Sequence, residues 1–194
     1  DTEDKQKSSR LDMNLAYYAG MQPNREYFMW RFRTLRLKRI IGYFGQSVLD
    51  VGCGMGYELE HLRDEYSKTI AGLDANAKVL EALKEKGIQC YASFEAVDQQ
   101  FDTVYTSHVI EHISPGQIYQ FAGDIHSRLK PGGTWVIVSP ISNWFWDQPD
   151  HYRKYDRPAI QTLFRDTGLE EVYSEYTGSQ NFACNVLKPI RKWV

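Results

Sequence analysis

The sequence predicts an α/β fold: a mostly parallel sheet covered by helices on both faces and closed by a β-hairpin. Three observations carry this expectation. From residue 47 onward, short apolar runs alternate with stretches of helical periodicity, the pattern of successive β–α–β units. Residues 48–56 read Val-Leu-Asp-Val-Gly-Cys-Gly-Met-Gly, a strand that runs directly into a glycine-rich turn. Two final strand-like runs, near 170–177 and 181–187, flank Gly178-Ser179, a plausible hairpin turn.

Residues 1–10 are polar and read as a tail. Between 26 and 44, Phe28, Phe32, Leu35, Ile40, Ile41 and Phe44 recur near helical spacing, predicting an amphipathic helix that ends near Gly45. Arg31, Arg33, Arg36, Lys38 and Arg39 are interleaved with them and read as a solvated face, with phosphate or anionic-membrane contact as the alternative. Residues 1–44 are thus expected to form a tail and helical cap, and 45–194 a single globular unit.

Within that unit, strands are expected at 47–52, 69–73, about 88–91, 101–106 and 134–139. Helices are expected at about 57–66, at 76–86 stopped by Gly87, and at 115–129 with Ser114 as N-cap before Pro115. Pro131-Gly-Gly133 reads as a turn into the fifth strand. A last helix is expected at about 158–167, ended by Gly168.

Gly52, Gly54 and Gly56 let the chain turn tightly and let a ligand approach where a Cβ would clash. Eighteen residues beyond Gly56, a second strand ends on Asp74, an acid placed to accept hydrogen bonds from both hydroxyls of a ribose. The spacing is G-x-G-x-G, with Asp50 ahead of it, which points away from a nicotinamide cofactor and toward S-adenosylmethionine. Asp50-Val-Gly-Cys-Gly-Met-Gly56 resembles the first motif of the class I S-adenosylmethionine-dependent methyltransferases. Phe101-Asp-Thr-Val-Tyr-Thr-Ser-His-Val-Ile-Glu-His-Ile113 resembles that family's fourth strand and the turn after it. Leu129-Lys-Pro-Gly-Gly-Thr-Trp-Val-Ile-Val-Ser139 resembles its helix-to-fifth-strand junction. The resemblance covers roughly residues 45–175. It implies a Rossmann-like, seven-stranded, mostly parallel sheet with a C-terminal antiparallel hairpin strand.

The resemblance also implies a cofactor site at Asp50, Gly52, Cys53, Gly54, Gly56, Asp74 and Ala75. The loop amides and the positive end of the following helix are expected to face the methionine carboxylate, and Asp50 its ammonium. An acid that many members carry after strand three is missing. Either Ser93 with a backbone N–H, or Glu95, is expected to read the adenine edge, with Phe94 on its face. Ser107 and His108, at the tip of strand four, are expected to wall the methionine moiety.

Methyl transfer is an in-line displacement, and a hydroxyl acceptor must also lose its proton, with a pKa of about 10 for a phenol. His112 is the first candidate base, with His108 and His151 as alternatives. The Glu111–His112 pair resembles one found in small-molecule methyltransferases, including those of ubiquinone biosynthesis. The stretch 142–155 follows strand five, where the family builds its acceptor pocket. Trp144, Trp146, His151, Tyr152 and Tyr155 are the expected acceptor-binding residues, suited to a ring-bearing small molecule or saccharide. Tyr17, Tyr18 and Trp30 could cover that pocket. No Asn-Pro-Pro-Tyr-type motif follows strand four.

Bulk properties narrow the rest. A net charge of −2 over 194 residues calls for no polyanionic partner, and nucleic acid is not expected. Three scattered cysteines suit neither a disulfide framework nor a zinc site, consistent with a cytoplasmic protein. No apolar run is long enough to cross a membrane. Asp147, Asp150 and His151 read as a polar turn, so no metal is expected. A monomer or homodimer is expected.

Overall fold

The computed structural model describes residues 33–141, 150–164, 167–177 and 182–189. A helix, α1, occupies 33–40, and a 3₁₀ turn follows at Ile41–Tyr43. Then come β1 (Ser47–Val51), α2 (Tyr57–Tyr66), β2 (Thr69–Leu73), α3 (Ala77–Glu85), β3 (Gln89–Tyr91) and β4 (Phe101–Ser107). After these come α4 (Ile118–Ser127), β5 (Leu129–Pro140), α5 (Arg157–Phe164), β6 (Leu169–Thr177) and β7 (Phe182–Pro189). Further 3₁₀ turns lie at Phe94–Ala96 and Ile110–His112.

All seven strands form one sheet in the order β3-β2-β1-β4-β5-β7-β6. The first five pair in parallel, and β7 runs antiparallel to both β5 and β6. The expected fold class is therefore the observed one. Strand order reverses beside β1, whose neighbours are β2 on one side and β4 on the other, and ligands of open α/β sheets sit outside strand carboxyl ends at such a point.

Alternation along the strands divides the core between the two sheet faces. Leu49, Val104, Trp135 and Ile137 pack with α4 and α5. Val48, Tyr105, Val136 and Val138 pack with Leu37 and Ile40 of α1 and Leu62 of α2. Asp50 is two residues from Val48 and so shares the α1 face, although it is only 2% exposed. Among the described residues no helix is long and apolar enough to cross a membrane.

Several expected boundaries shift. The first helix gives way to 3₁₀ geometry at Ile41, short of Gly45. Leu35 is 54% exposed, whereas Arg36 is buried, so the apolar stripe runs through Leu37 and Ile40 instead. Pro115 does not open α4; residues 115–117 form a turn, and Ser114 Oγ bonds the Gln117 side chain at 2.8 Å rather than capping the helix. The Pro131–Gly133 segment is not a turn ahead of β5 but lies within it. Leu129 pairs with Phe101 and Thr134 with Thr103, so five residues of β5 span two of β4 across a bulge. Helix α5 is described from Arg157 to Phe164, and Asp156 caps its start through the Ala159 N–H at 3.0 Å. The Gly178-Ser179 turn lies outside the described residues.

Candidate active site

Parallel registry brings three strand ends to one place. Val51 lies beside Leu73 of β2 and Thr106 of β4, so residues 52, 74 and 107 emerge side by side. Gly52, Gly54 and Gly56 all take positive φ (73°, 50° and 77°), backbone that side chains rarely adopt. A Cβ on Gly52 would lie 2.5 Å from Val109 Cγ2, so the loop and the β4 tip touch only because that residue is glycine.

Four of the loop amides are engaged by the protein itself. Gly52 and Cys53 N–H both bond the Leu73 carbonyl, at 2.7 and 3.3 Å, and Gly56 N–H bonds the Cys53 carbonyl at 3.1 Å. Gly54 N–H bonds Asp74 Oδ2 at 3.0 Å. These bonds close the loop on itself, and its Met55 side chain packs away with the Leu59–Leu83 cluster. Cys53 contributes backbone to this turn. Its thiol is pushed well up, by burial first and then by Asp50 and Asp74, and it packs against the Leu59–Leu83 cluster.

Asp74 accepts from Gly54 on one oxygen and from Asn76 N–H, at 2.9 Å, on the other. Burial raises its pKa, and those two N–H groups oppose the rise. A carboxylate offers about four lone-pair sites, so two backbone donors leave room for a diol. Ala75 is exposed beside it. Asp50 is held above the usual carboxylate range, first by burial and then by the Glu58 carboxylate, with Arg33 opposing.

Glu58 and Arg36 were not singled out in the sequence. Glu58, in the first turn of α2, is buried and accepts from Tyr105 OH at 3.0 Å. Arg36 Nη2 lies 3.5 Å from Glu58 Oε1 and donates to Ser107 Oγ at 3.4 Å. The basic face of α1 is therefore not wholly solvated: Arg36 ties that helix to the loop helix and the β4 tip. One signal existed, since Arg36 and Ile40 are four apart and share a helix face.

Ser93 and Phe94 sit where β3 gives way to its 3₁₀ turn. Ser93 is half-buried and bonded to exposed Glu95, whose pKa that bond lowers. Phe94 packs edge-on against Phe121 at 5.8 Å, so its ring belongs to the margin of the core.

Beyond β4 the chain turns back through His108, a non-glycine residue at φ 59°. Strained backbone of this kind concentrates at functional sites. The His108 N–H is fixed to the Val138 carbonyl at 2.9 Å, and its ring nitrogen lies 3.6 Å from Glu111 Oε1. Burial, followed by Arg36 and Arg33, holds His108 well below the usual imidazole pKa. Glu111 has no exposed side-chain surface, and burial, reinforced by Asp150, pushes its carboxyl up to about 8.

His112 keeps 34% of its side chain exposed. Its Nδ1 lies 3.0 Å from Asp150 Oδ2, and its ring meets that of His151 edge-on at 4.6 Å. Tyr152 is exposed, and its N–H bonds the Glu111 carbonyl at 2.8 Å. Donor atoms of Glu111, His112 and His151 all lie within 4.8 Å of one another, a set chemically able to hold a divalent cation. This set differs from Asp147, Asp150 and His151, which read in the sequence as a polar turn with no metal expected. Tyr155 does not line this site. It is 1% exposed in the core, where its carbonyl accepts from Ser139 Oγ at 2.8 Å. Trp144, Trp146, Asp147, Tyr17, Tyr18 and Trp30 lie outside the described residues.

A Rossmann-like sheet with a glycine loop and an acid at neighbouring strand tips defines a nucleoside-binding α/β protein. A methyltransferase-domain family model matches residues 24–174, and the chain belongs to that family, the class I S-adenosylmethionine-dependent methyltransferases. It is 36% identical over 127 residues to a ubiquinone biosynthesis O-methyltransferase of Klebsiella pneumoniae, covering 58% of this chain and 51% of the relative. It is 29% identical over 151 residues to phosphoethanolamine N-methyltransferase 3 of Arabidopsis thaliana, covering 68% and 30%. The chain thus spans about a third to a half of these curated relatives. Among solved structures, it resembles a 1,6-didemethyltoxoflavin-N1-methyltransferase of Burkholderia thailandensis with bound acceptor and S-adenosylhomocysteine. That match has a TM-score of 0.69 at 17% identity and covers 96% of this chain and 90% of that one.

Proposed function

We propose that this chain binds S-adenosylmethionine at the glycine loop and transfers its methyl group to an oxygen or nitrogen of a small-molecule or saccharide acceptor. The observation that carries the reading is the convergence of the glycine loop, Asp74 and the β4 tip at the switch point beside β1. The residues present fit the cofactor. Three glycines at positive φ hold the loop against the strand tips, Asp74 has lone pairs to spare, and Asp50 lies buried behind the loop.

When bound, the cofactor supplies an activated methyl group on a sulfonium. The chain's own contribution is to hold the acceptor in line, exclude water and accept a proton. Gly52, Gly54 and Gly56 admit the methionine moiety, and Asp74 orients the ribose. Ser107 and His108 wall the reacting centre, and Ser93 and Phe94 stand on the adenine side. His112 takes the acceptor proton as the acceptor–carbon bond forms and the carbon–sulfur bond breaks, its electron pair remaining on sulfur. His151 and Tyr152 belong to the acceptor rim. The activities of two curated relatives, one O-directed and one N-directed, support a small acceptor.

Calorimetry with S-adenosylhomocysteine tests the cofactor site: Asp74→Ala should weaken binding by at least about tenfold, or about 1.4 kcal/mol. His112→Ala should leave that affinity within about twofold while slowing transfer by about 10²-fold or more. Equal affinity in Asp74→Ala and wild type, or full turnover in His112→Ala, refutes the corresponding role.

A further inference from the structure

We propose that Asp150 is a positioning residue that fixes the orientation and tautomer of His112, leaving Nε2 as the atom that receives the acceptor proton. The inference rests on the transferase reading above and extends it to Asp150, which reads in the sequence as part of a polar turn.

The geometry begins with the 3.0 Å contact between His112 Nδ1 and Asp150 Oδ2. A carboxylate oxygen only accepts, so Nδ1 carries the hydrogen and the lone pair of the neutral ring lies on Nε2. Asp150 is itself held in place. The Tyr152 N–H bonds the Glu111 carbonyl at 2.8 Å, fastening the segment that carries Asp150 to the 3₁₀ turn that carries His112. The edge of the His151 ring, 4.6 Å between centroids, limits rotation of the His112 ring from another side.

Among the described residues, Glu111, His108 and His151 also face His112. Glu111 and His108 both sit in surroundings that favour their uncharged forms, which leaves the Asp150 carboxylate to face the imidazolium formed when the proton arrives. Asp150 takes no proton itself. The proton leaves the acceptor heteroatom and ends on Nε2. An Asp–His pair of this kind acts by orientation and by stabilising positive charge, and it suits an acceptor that reaches the site still carrying a proton.

The test combines a measurement that needs no acceptor with one that does. Long-range ¹H–¹⁵N correlation NMR on the full chain should show His112 as the Nδ1–H tautomer. Asp150→Asn should shift it toward Nε2–H, and Asp150→Glu should bring it back. Transfer by Asp150→Asn should fall by about 10²-fold or more in kcat, with S-adenosylhomocysteine affinity within about twofold, and Asp150→Glu should recover part of the loss. The acid limb of its kcat–pH profile should move to lower pH, because a carboxylate beside an imidazole favours the protonated ring. An Nε2–H tautomer in the wild type, or unchanged tautomer and kcat in Asp150→Asn, overturns the proposal. So does a His112 Nε2 signal that moves with stoichiometric Zn²⁺ together with turnover that a chelator abolishes, since Nε2 would then be a metal ligand. A wild type that binds no S-adenosylhomocysteine, yet shows the Nδ1–H tautomer and loses it in Asp150→Asn, sinks the transferase reading and upholds the positioning role.

Discussion

Gly52→Ala is the perturbation that most directly probes contact between the glycine loop and the β4 tip. The new methyl carbon would stand 2.5 Å from Val109 Cγ2 on backbone at φ 73°, so two separable costs arise. Placing alanine in the left-handed region costs about 1–2 kcal/mol. Overpacking against Val109 costs about 1–3 kcal/mol. The sum, about 2–5 kcal/mol, lowers Tm by about 4–20 °C at the 2–4 °C per kcal/mol expected for a chain of this length. Val109→Ala alone removes two methyl groups from a half-buried side chain and costs about 1 kcal/mol. In the double variant the methyl carbon has space, so the overpacking cost disappears and the backbone cost remains. Urea melts of the four proteins should therefore show a favourable coupling of about 1–3 kcal/mol. Calorimetry with S-adenosylhomocysteine should show at least about tenfold weaker binding in Gly52→Ala, partly restored in the double variant. If the two single losses simply add, the loop and the β4 tip do not press on one another, and the steric account of Gly52 fails.

Three further outcomes follow from the buried polar groups. Unfolded Glu111 ionises near the usual 4.5, whereas in the folded chain it keeps its proton to about 8, so folding takes up a proton between those values. Stability contributed by the neutral form is lost as pH rises through that window, by at most about 5 kcal/mol; urea melts of Glu111→Gln at pH 5.5, 7 and 8.5 should lack this slope. Glu58→Ala leaves Arg36 buried beside Tyr105 without its carboxylate and should destabilise by about 3–5 kcal/mol, with Arg36→Met/Glu58→Gln recovering much of the loss. Tyr155→Phe should keep wild-type turnover and cofactor affinity in the same methyl-transfer assay, because the residue serves the core through its ring and its carbonyl; a large fall in kcat would return it to the acceptor site.

Elements whose signal is local were legible in the sequence. The glycine loop, the acid at the end of β2, the glycine after α3 and the order of five parallel strands all follow from short-range chemistry. Boundaries that depend on distant partners were not legible. Pro131–Gly133 reads as a turn until β4 is placed beside it, because the bulge exists only in the pairing of Phe101 and Thr103 with β5. The loop amides looked available because their acceptors, the Leu73 carbonyl and the Asp74 carboxylate, belong to the next strand. Tyr155 carried the right chemistry for a ligand pocket but is drawn into the core beneath β5, where Ser139 bonds its backbone. Arg36 looked solvated because its partners, Glu58 and Ser107, lie 22 and 71 residues away (58 − 36; 107 − 36).

The polar groups of the two sides of the site are arranged differently, and the difference bears on the chemistry. Around the loop, burial raises both Asp50 and Asp74, and a ligand bringing its own positive charge would return them toward the ionised form. Beyond β4, burial suppresses the charge of both Glu111 and His108. His112 keeps 34% of its side chain exposed, so positive charge created there is steadied by the group nearest to it. The Asp150 oxygen 3.0 Å from Nδ1 therefore acts at close range where it counts. Replacing Asp150 with a neutral side chain should consequently slow the proton-taking step while leaving the cofactor side, whose acids belong to β1, α2 and the tip of β2, as it was.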